Sequence, residues 1–241
     1  MIHVIFGSTS GFAPDLISLF NKNDFIILIS RDVLKLKIQK NNLMQNGFLN
    51  ICYFEYDLKK INCYSEINKH LLQYTFKHIE FYLIAGSTST IDNFDETTNA
   101  LEQFNINFKY QFEISRLALN NFYDKSVGLN FFTSIASIRG RSNNIIYSAM
   151  KRAIVSLYES TRHAAPINFN IRLFYIGYVH TESAKDKKSL LNKVSTKFVA
   201  KALQKITYKH SSGVFYIPFY WFFIRFFIKL MPWFFFKKIK F

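Results

Sequence analysis

Acidic side chains and cysteines are scarce in this sequence of 241 residues. Sixteen Asp and Glu stand against 31 Lys and Arg, and no acidic residue follows Asp186. The two cysteines, Cys52 and Cys63, supply neither a disulfide framework nor a metal-binding box, which favours a reducing compartment. The six histidines lack ligand spacing, so the sequence predicts no metal site. No signal peptide precedes the first apolar segment, and we expect a cytoplasmic location.

Several function classes also lack their sequence signatures. GxSxG is absent, which argues against a serine hydrolase elbow. No helix-turn-helix, zinc or RNA-binding signature accompanies the formal net charge of +15, so we expect no nucleic-acid partner. The longest uncharged run near the C-terminus, Gly213–Ile224, is shorter than the ~20 residues that span a bilayer. The unopposed basic residues there are mixed with aromatics, which favours a membrane surface as the partner.

Short apolar runs alternate with helix-like stretches along the chain. Strands of this kind, buried on both faces and separated by helices, indicate an α/β domain with a doubly wound parallel sheet and helices on both faces. We predict one such domain over residues 1–212 and a hydrophobic, basic helical tail over residues 213–241. The predicted strands are Ile2–Phe6, Phe25–Ser30, Cys52–Tyr56, Phe81–Ile84, Gly128–Thr133 and Asn168–Phe174, and the predicted helices cover about 14–21, 33–46, 65–76, 97–123 and 146–164.

The first strand runs into a glycine turn, IFGSTSGFAP. Gly7 and Gly11 let the backbone approach a pyrophosphate closely, and Ala13 stands where a third glycine would pack helix against strand. The alternative is a tight strand–helix turn that binds nothing. Arg31, just past the second strand, suits the 2′-phosphate of NADP(H), although a solvated surface charge is the other interpretation. Asp32, one residue later, would suit the ribose of NAD(H).

A second group of candidate residues lies in the stretch TSIASIRGRSNNIIYSAMK. Tyr147 and Lys151 are four apart, so they share one face of a predicted helix. A nearby ammonium stabilises phenolate, so we expect Lys151 to lower the pKa of Tyr147 and make it a usable proton donor or base. Ser134, at the end of a strand, would polarise a substrate carbonyl. Arg139 and Arg141 would either receive an anionic substrate or remain solvated.

Taken in order and spacing, these motifs resemble those of the short-chain dehydrogenase/reductase family. GSTSGFA is similar to the family's TGxxxGxG, and LIAGSTS is similar to NNAG with Leu83 and Ile84 in place of both Asn. Ser134 stands thirteen residues before Tyr147, and Lys151 completes YxxxK. The segment IGYVHT resembles PGxVxT, with Ile in place of Pro.

This resemblance covers roughly residues 1–185 and implies a Rossmann-like oxidoreductase that passes hydride between a nicotinamide and a carbonyl or alcohol. It implies that Tyr147 transfers the proton, Lys151 tunes it and orients the ribose, Ser134 holds the substrate oxygen and Asn107 holds a water of the relay. Family members are commonly oligomers, so a homo-oligomer is one candidate state. The resemblance also implies a set of cofactor contacts that includes every residue of the glycine turn from Gly7 to Phe12. These contacts are Gly7, Ser8, Thr9, Ser10, Gly11, Phe12, Arg31, Asp57, Ala85, Gly86, Tyr147, Lys151, Gly177 and Thr181.

The tail has a pattern of its own. Arg225 and Lys229 share a predicted helix face with Trp221, the other faces are Phe, Ile and Leu, and Pro232 ends the helix. A narrow basic stripe on an aromatic helix suits a membrane interface, and packing in a dimer or over the substrate pocket is the alternative.

Tails of this kind resemble those of bacterial short-chain reductases that act on polyprenyl-phosphate-linked keto sugars. That resemblance suggests a lipid-linked sugar substrate in cell-envelope polysaccharide synthesis, on the inner face of the membrane. The alternatives are a fatty-acyl or other lipid keto reductase and a non-catalytic dinucleotide-binding partner subunit.

Overall fold

A seven-stranded parallel sheet forms the centre of the protein. The structure is a computed structural model that describes residues 1–59, 63–87, 100–142, 144–181 and 192–238. All neighbouring strands pair in parallel in the order β3-β2-β1-β4-β5-β6-β7, so the chain reverses direction across the sheet between β1 and β4. The strands are β1 Ile2–Phe6, β2 Phe25–Ser30, β3 Asn50–Glu55, β4 His78–Leu83, β5 Ser126–Ser134, β6 Phe169–Ile176 and β7 Gly213–Ile217.

Helices cover both faces of this sheet, and each face has its own apolar core. Helices α3, α5 and α6 pack on one face, and α1, α2 and α7 pack on the other. Alternation along β1 shows why, since Val4 and Phe6 enter the first core and Ile5 enters the second. The helices are α1 Ala13–Ile17, α2 Val33–Gln45, α3 Cys63–Leu72, α4 Ala100–Phe104, α5 Tyr110–Asn121, α6 Ile145–Ala164, α7 Thr196–Thr207, α8 Trp221–Leu230 and α9 Trp233–Phe236.

The predicted fold class is therefore confirmed. The bounds of β1 and β2 agree with the sequence, and the other predicted strands shift by only a few residues at their ends. One part differs more, because Gly213–Ile217, which the sequence placed in the tail, forms β7 and pairs with β6. Tyr216 stacks on Tyr175 and Phe215 stacks on Phe174, so the new strand extends both cores across what would otherwise be a bare edge.

The long predicted helix over residues 97–123 is interrupted. Its described part consists of α4, a π-helical turn over Asn105–Lys109, and α5. A π turn inserts extra backbone into a helix and is frequent at functional sites. Residues 97–99 lie outside the described part of the chain.

Polar groups are buried near the amino ends of the strands. Burial alone would raise the pKa of Glu80, but its hydrogen bond with His78 and the charge of Arg172 hold the pKa below its usual value. Arg172 donates to both carboxylate oxygens, at 3.1 and 3.3 Å, and Asn130 donates a third hydrogen bond. Gly128 leaves the space for this carboxylate, since a Cβ there would lie 2.0 Å from it.

Candidate active site

Two adjoining cavities open at the carboxyl ends of the strands. The larger, of about 640 Å³, lies over β1, β2 and β4, and the smaller, of about 400 Å³, lies over β5 and β6. Ser10, Gly11, Gly86, Ser87 and Thr181 line both, so the two form one cleft. In open α/β sheets, the crevice where the strand order reverses is the usual ligand site.

The glycine turn forms the floor of this cleft. Gly7 has φ 82°, and a Cβ there would lie 2.8 Å from the Cα of Ala85, so only glycine fits between β1 and β4. Thr9 and Ser10 line the larger cavity, and Phe12 lines the smaller one. Ser8 does not join them. Its side chain is fully buried, and its carbonyl accepts a hydrogen bond from Gln39 of α2.

Four charged side chains border the larger cavity, two basic and two acidic. Arg31 and Lys35 line it, as do Ser30 and Asp57. Asp32 also borders the cavity, but its carboxylate caps α2 by accepting from the backbone N–H of Lys35 at 3.0 Å. The second carboxylate oxygen lies 3.7 Å from the Lys35 ammonium, so the charge of Asp32 is directed at the helix.

The smaller cavity brings the predicted catalytic residues together. Ser134 ends β5, and its side chain is hydrogen-bonded with that of Tyr147. Lys151, one turn further along α6, lies 5.7 Å from the centre of the Tyr147 ring and donates to the carbonyl of Phe132 at 3.2 Å. All three side chains line the cavity, as Arg141 does.

The pKa values of Tyr147 and Lys151 differ from those that the sequence led us to expect. Burial raises the pKa of Tyr147, while the hydrogen bond with Ser134 and the charge of Arg141 act in the opposite direction. Burial also lowers the pKa of Lys151 to about 8. The expected lowering of the Tyr147 pKa by Lys151 is therefore wrong, because burial outweighs the other influences on this phenol. Tyr147 keeps its proton at neutral pH, but the raised pKa also makes it a weaker acid.

Asn107 lies behind the cavity wall, in the π-helical turn. It is fully buried and clamps Ser87 by donating to its carbonyl at 2.8 Å and accepting from its N–H at 3.2 Å. The Tyr110 hydroxyl donates to the carbonyl of Ala85 at 2.8 Å. A Cβ on Gly86 would lie 3.1 Å from Asn107 Oδ1 and 3.4 Å from Lys151 Nζ, so Gly86 keeps these two groups close.

The loop after β6 completes the cleft. Gly177 and Thr181 both border the smaller cavity, and Gly177 donates its N–H to the carbonyl of Ile217 in β7. A Cβ on Gly177 would lie 2.1 Å from Nε1 of Trp221. Here glycine is required by the close approach of α8, a feature the sequence motif did not reveal.

Some residues of the cleft were missed by the sequence interpretation. Lys35 and Ser87 border the larger cavity, and Asn144 and Tyr178 border the smaller one. Lys35 could have been predicted from the sequence, because it lies four residues after Arg31 in the first turn of a predicted helix. Asn144 and Tyr178 carried none that spacing could reveal.

Among the described residues, one group has the geometry to hold a metal ion. His78, Glu80 and His210 bring their ligand atoms within 4.8 Å of one another, at the amino ends of the strands and away from the cleft. Both oxygens of Glu80 already contact the guanidinium of Arg172, whose positive charge opposes a cation. The absence of a metal site stays a prediction.

These features define a class, the dinucleotide-dependent oxidoreductases built on an open parallel sheet. The family model described as short chain dehydrogenase matches residues 2–191. The chain belongs to the short-chain dehydrogenase/reductase family, and the predicted enzyme class, an NAD(P)-dependent oxidoreductase, is confirmed. No curated protein matches the chain in sequence.

Solved structures with the same fold share little sequence with this chain. A short-chain dehydrogenase from Sphingobium yanoikuyae in complex with NADPH is 13% identical, with a TM-score of 0.80 over 90% of this chain and 88% of that one. An alcohol dehydrogenase from Thermococcus sibiricus complexed with 5-hydroxy-NADP is 17% identical, with a TM-score of 0.77 over 89% and 94%. A 3-oxoacyl-[acyl-carrier protein] reductase from Brucella melitensis with bound NAD is 13% identical, with a TM-score of 0.74 over 89% and 88%.

The pKa of Lys151 predicts a pH limit for cofactor use. Because burial moves this pKa from 10.5 to about 8, the ammonium charge that favours an anionic cofactor is lost as the pH rises through that value. We expect kcat/KM for NADPH, which reports groups of the free enzyme, to fall about tenfold per pH unit above ~8. Initial rates from pH 6 to 10 would check this. A kcat/KM that stays constant up to pH 10, as expected for a pKa of 10.5, would contradict it.

Proposed function

We propose that the protein is an NADP(H)-preferring reductase or dehydrogenase that transfers hydride between the nicotinamide and a carbonyl or alcohol carbon. The observation that carries the proposal is the convergence of Ser134, Tyr147 and Lys151 on one wall of a cleft at the strand-order reversal. The bound dinucleotide supplies the hydride. The protein supplies the proton, the positioning of the carbonyl and the exclusion of water.

The contacts support a role for each residue in the proposed mechanism. Tyr147 is the proton donor in reduction, since it is protonated at neutral pH, lines the cavity and is hydrogen-bonded with Ser134. Ser134 also accepts from the N–H of Ala136, which fixes its side chain for a hydrogen bond to the substrate oxygen. Lys151 presents its ammonium beside Gly86, where the cofactor ribose would bind, and Asn107 fixes the strand end opposite.

Replacing the proton donor tests the mechanism. We expect Tyr147→Phe to lower kcat by roughly 10²–10⁴-fold, the usual contribution of a positioned acid or base, while NADPH binding is unchanged. Tyr123→Phe is the matched control, because that ring is 69% exposed and lies outside the cleft. NADPH oxidation over a ketone panel and fluorescence titration would provide the two measurements. Full turnover by the Tyr147→Phe protein would remove Tyr147 from this role.

Wild-type protein that binds NADPH but reduces no compound of the panel would favour the alternative function. In that case, the protein would be a non-catalytic dinucleotide-binding subunit.

Charge in the larger cavity supports the choice of NADP(H). Arg31 and Lys35 both line it near the end of β2, where an adenosine ribose would lie. Asp32, the residue that would have suited NAD(H), is engaged with the first turn of α2. NAD(H) remains usable, because the other proposed cofactor contacts do not involve the 2′-phosphate.

Cofactor preference should depend on Arg31. We expect Arg31→Ala to lower kcat/KM for NADPH by roughly 10- to 100-fold, since a hydrogen bond to a charged group contributes about 1.5–3 kcal/mol. The value for NADH should change little. Lys37→Ala is the control, because this exposed residue of α2 does not line the cavity. Equal losses with both cofactors would contradict a 2′-phosphate contact.

The C-terminal helices support a peripheral membrane location at the cytoplasmic face. No helix in the described ranges is long and apolar enough to cross a bilayer. Ten large apolar side chains nevertheless stand exposed on α8, α9 and the turn before them, and we call them the aromatic surface. Its members are Phe219, Tyr220, Phe222, Phe223, Phe226, Phe227, Leu230, Trp233, Phe234 and Phe235.

An anionic lipid bilayer fits this surface chemically. An exposed apolar patch of such size marks an interaction site. Lys229, Lys237 and Lys238 accompany it, no acidic residue follows Asp186, and aromatic rings with basic residues are typical of interfacial helices. A membrane-side enzyme would take carbonyl substrates carried on lipid, either polyprenyl-phosphate-linked keto sugars or acyl chains. Competition by polyprenyl phosphate or by an acyl thioester would separate these classes.

Vesicle binding tests the aromatic surface. We expect Phe227→Ser with Phe234→Ser to weaken partition onto phosphatidylglycerol-containing vesicles about tenfold or more, because burial of one Phe contributes about 1.5–3 kcal/mol. Leu49→Ser is the control, since Leu49 is 71% exposed and lies outside the aromatic surface. Co-sedimentation at low and high salt would separate the apolar part from the screened electrostatic part. Equal partition of wild type and the double variant would exclude this surface as the lipid contact.

A further inference from the structure

Arg139 makes contacts that the sequence analysis did not predict. The sequence left this residue either to receive an anionic substrate or to remain solvated. It lies between Ser134 and Tyr147 in the chain, but its guanidinium donates to the carbonyl of Ile228 at 3.1 Å and to that of Met231. These carbonyls belong to the C-terminal end of α8, where helix carbonyls lack partners and the dipole favours a cation. Arg139 is therefore a C-terminal cap of a helix about ninety residues away in the sequence.

The same guanidinium also packs on the next helix. It lies 5.0 Å from the centre of the Trp233 ring and 4.3 Å from that of Phe236, distances at which a cation is attracted to an aromatic face. Phe236 is buried, whereas Trp233 belongs to the aromatic surface. One side chain thus holds α8 and α9 together from the side of the catalytic domain.

From Arg139 the chain leads directly into the pocket. Arg141, two residues further on, lines the smaller cavity and acts electrostatically on Tyr147. Asn144 lines the same cavity before α6 begins. The start of the segment is fixed on the other side, where Arg152 donates to the carbonyl of Ser137 at 3.3 Å.

A second contact joins α8 to the opposite wall. Trp221 is buried, packs edge-on against Tyr178 with ring centres 5.9 Å apart, and lies against Gly177. Tyr178 and Gly177 line the smaller cavity. The two ends of α8 therefore back two different walls of the pocket.

We infer that Arg139 is a positioning residue for the substrate pocket, holding the segment that carries Arg141 to the C-terminal helices. The inference rests on the proposed function, because the pocket is the proposed catalytic one. The outer face of α8 and α9 is the aromatic surface, so Arg139 lies between this surface and the pocket wall. Arg139 itself does not line the smaller cavity.

Replacement of Arg139 should change substrate use more than cofactor use. We expect Arg139→Gln to raise KM for the ketone that wild type reduces fastest about tenfold, with KM for NADPH and kcat within about twofold. Phe236→Ala, which removes the ring under the guanidinium, should show the same split, and the double variant should add little to either. Arg116→Gln is the control, because this exposed Arg pairs with Glu113 on α5, away from the tail. Unchanged KM for the ketone in both variants would overturn the inference.

Hydrogen exchange separates this inference from the proposed function. We expect Arg139→Gln and Phe236→Ala to speed exchange of amides in residues 140–148 as well as 228–236, whereas Arg116→Gln leaves both unchanged. Faster exchange in 228–236 alone would show that the tail loosens without moving the pocket wall, and would refute the positioning role. This measurement needs no turnover, so it decides the role of Arg139 even if wild type reduces no ketone.

Discussion

Close packing between the glycine turn and the carboxyl end of β4 is the constraint on which the site depends. Gly7 lies so near Ala85 that a Cβ would come within 2.8 Å of its Cα, and a Cβ on Gly86 would lie 3.1 Å from Asn107 Oδ1 and 3.4 Å from Lys151 Nζ. These approaches bring the reversal point of the sheet, the cofactor cleft and the catalytic helix into contact. A Cβ on Gly7 would push these elements apart, because it would meet the backbone of Ala85, whose carbonyl accepts a hydrogen bond from Tyr110. A Cβ on Gly86 would press on the Asn107 amide, which is hydrogen-bonded to Ser87.

The π-helical turn is what makes this contact possible. Asn107 and Tyr110 reach the backbone of Ser87 and Ala85 from a single interrupted helix, and the polar side chains would otherwise be buried without partners. The sequence identified Asn107 through the family motif but predicted an unbroken helix around it. The spacing of apolar residues indicates that a helix is present. It does not show where an extra residue enters a turn, because the apolar pattern continues after the π turn and is only shifted by one position.

Residue types and order allowed prediction of the sheet and its two helical layers, since these follow from periodicity. The catalytic set came from the resemblance to the family's motifs, and its roles stay a prediction. Orientations were not predictable in the same way. The carboxylate of Asp32 caps α2, and the side chain of Ser8 is fully buried. Arg139 caps α8 from ninety residues away, and Gly213–Ile217 joins the sheet as β7. Apart from Asp32, whose partner Lys35 lies only three residues away, each depends on a partner distant in the chain, and a single sequence carries no signal for such pairs.

The basic stripe predicted on the C-terminal helix is divided in the structure. Trp221 and Arg225 face the protein, where Arg225 donates to the hydroxyl of Tyr216 and lies 5.4 Å from the ring centre of Tyr175. The four phenylalanines of α8 are exposed, and so is Lys229. Because α8 is already fixed by its cationic and indole side chains, the exposed rings are not needed for folding of the helix onto the domain. Their exposure therefore supports a partner for this surface, and the helix that presents them also backs the catalytic pocket.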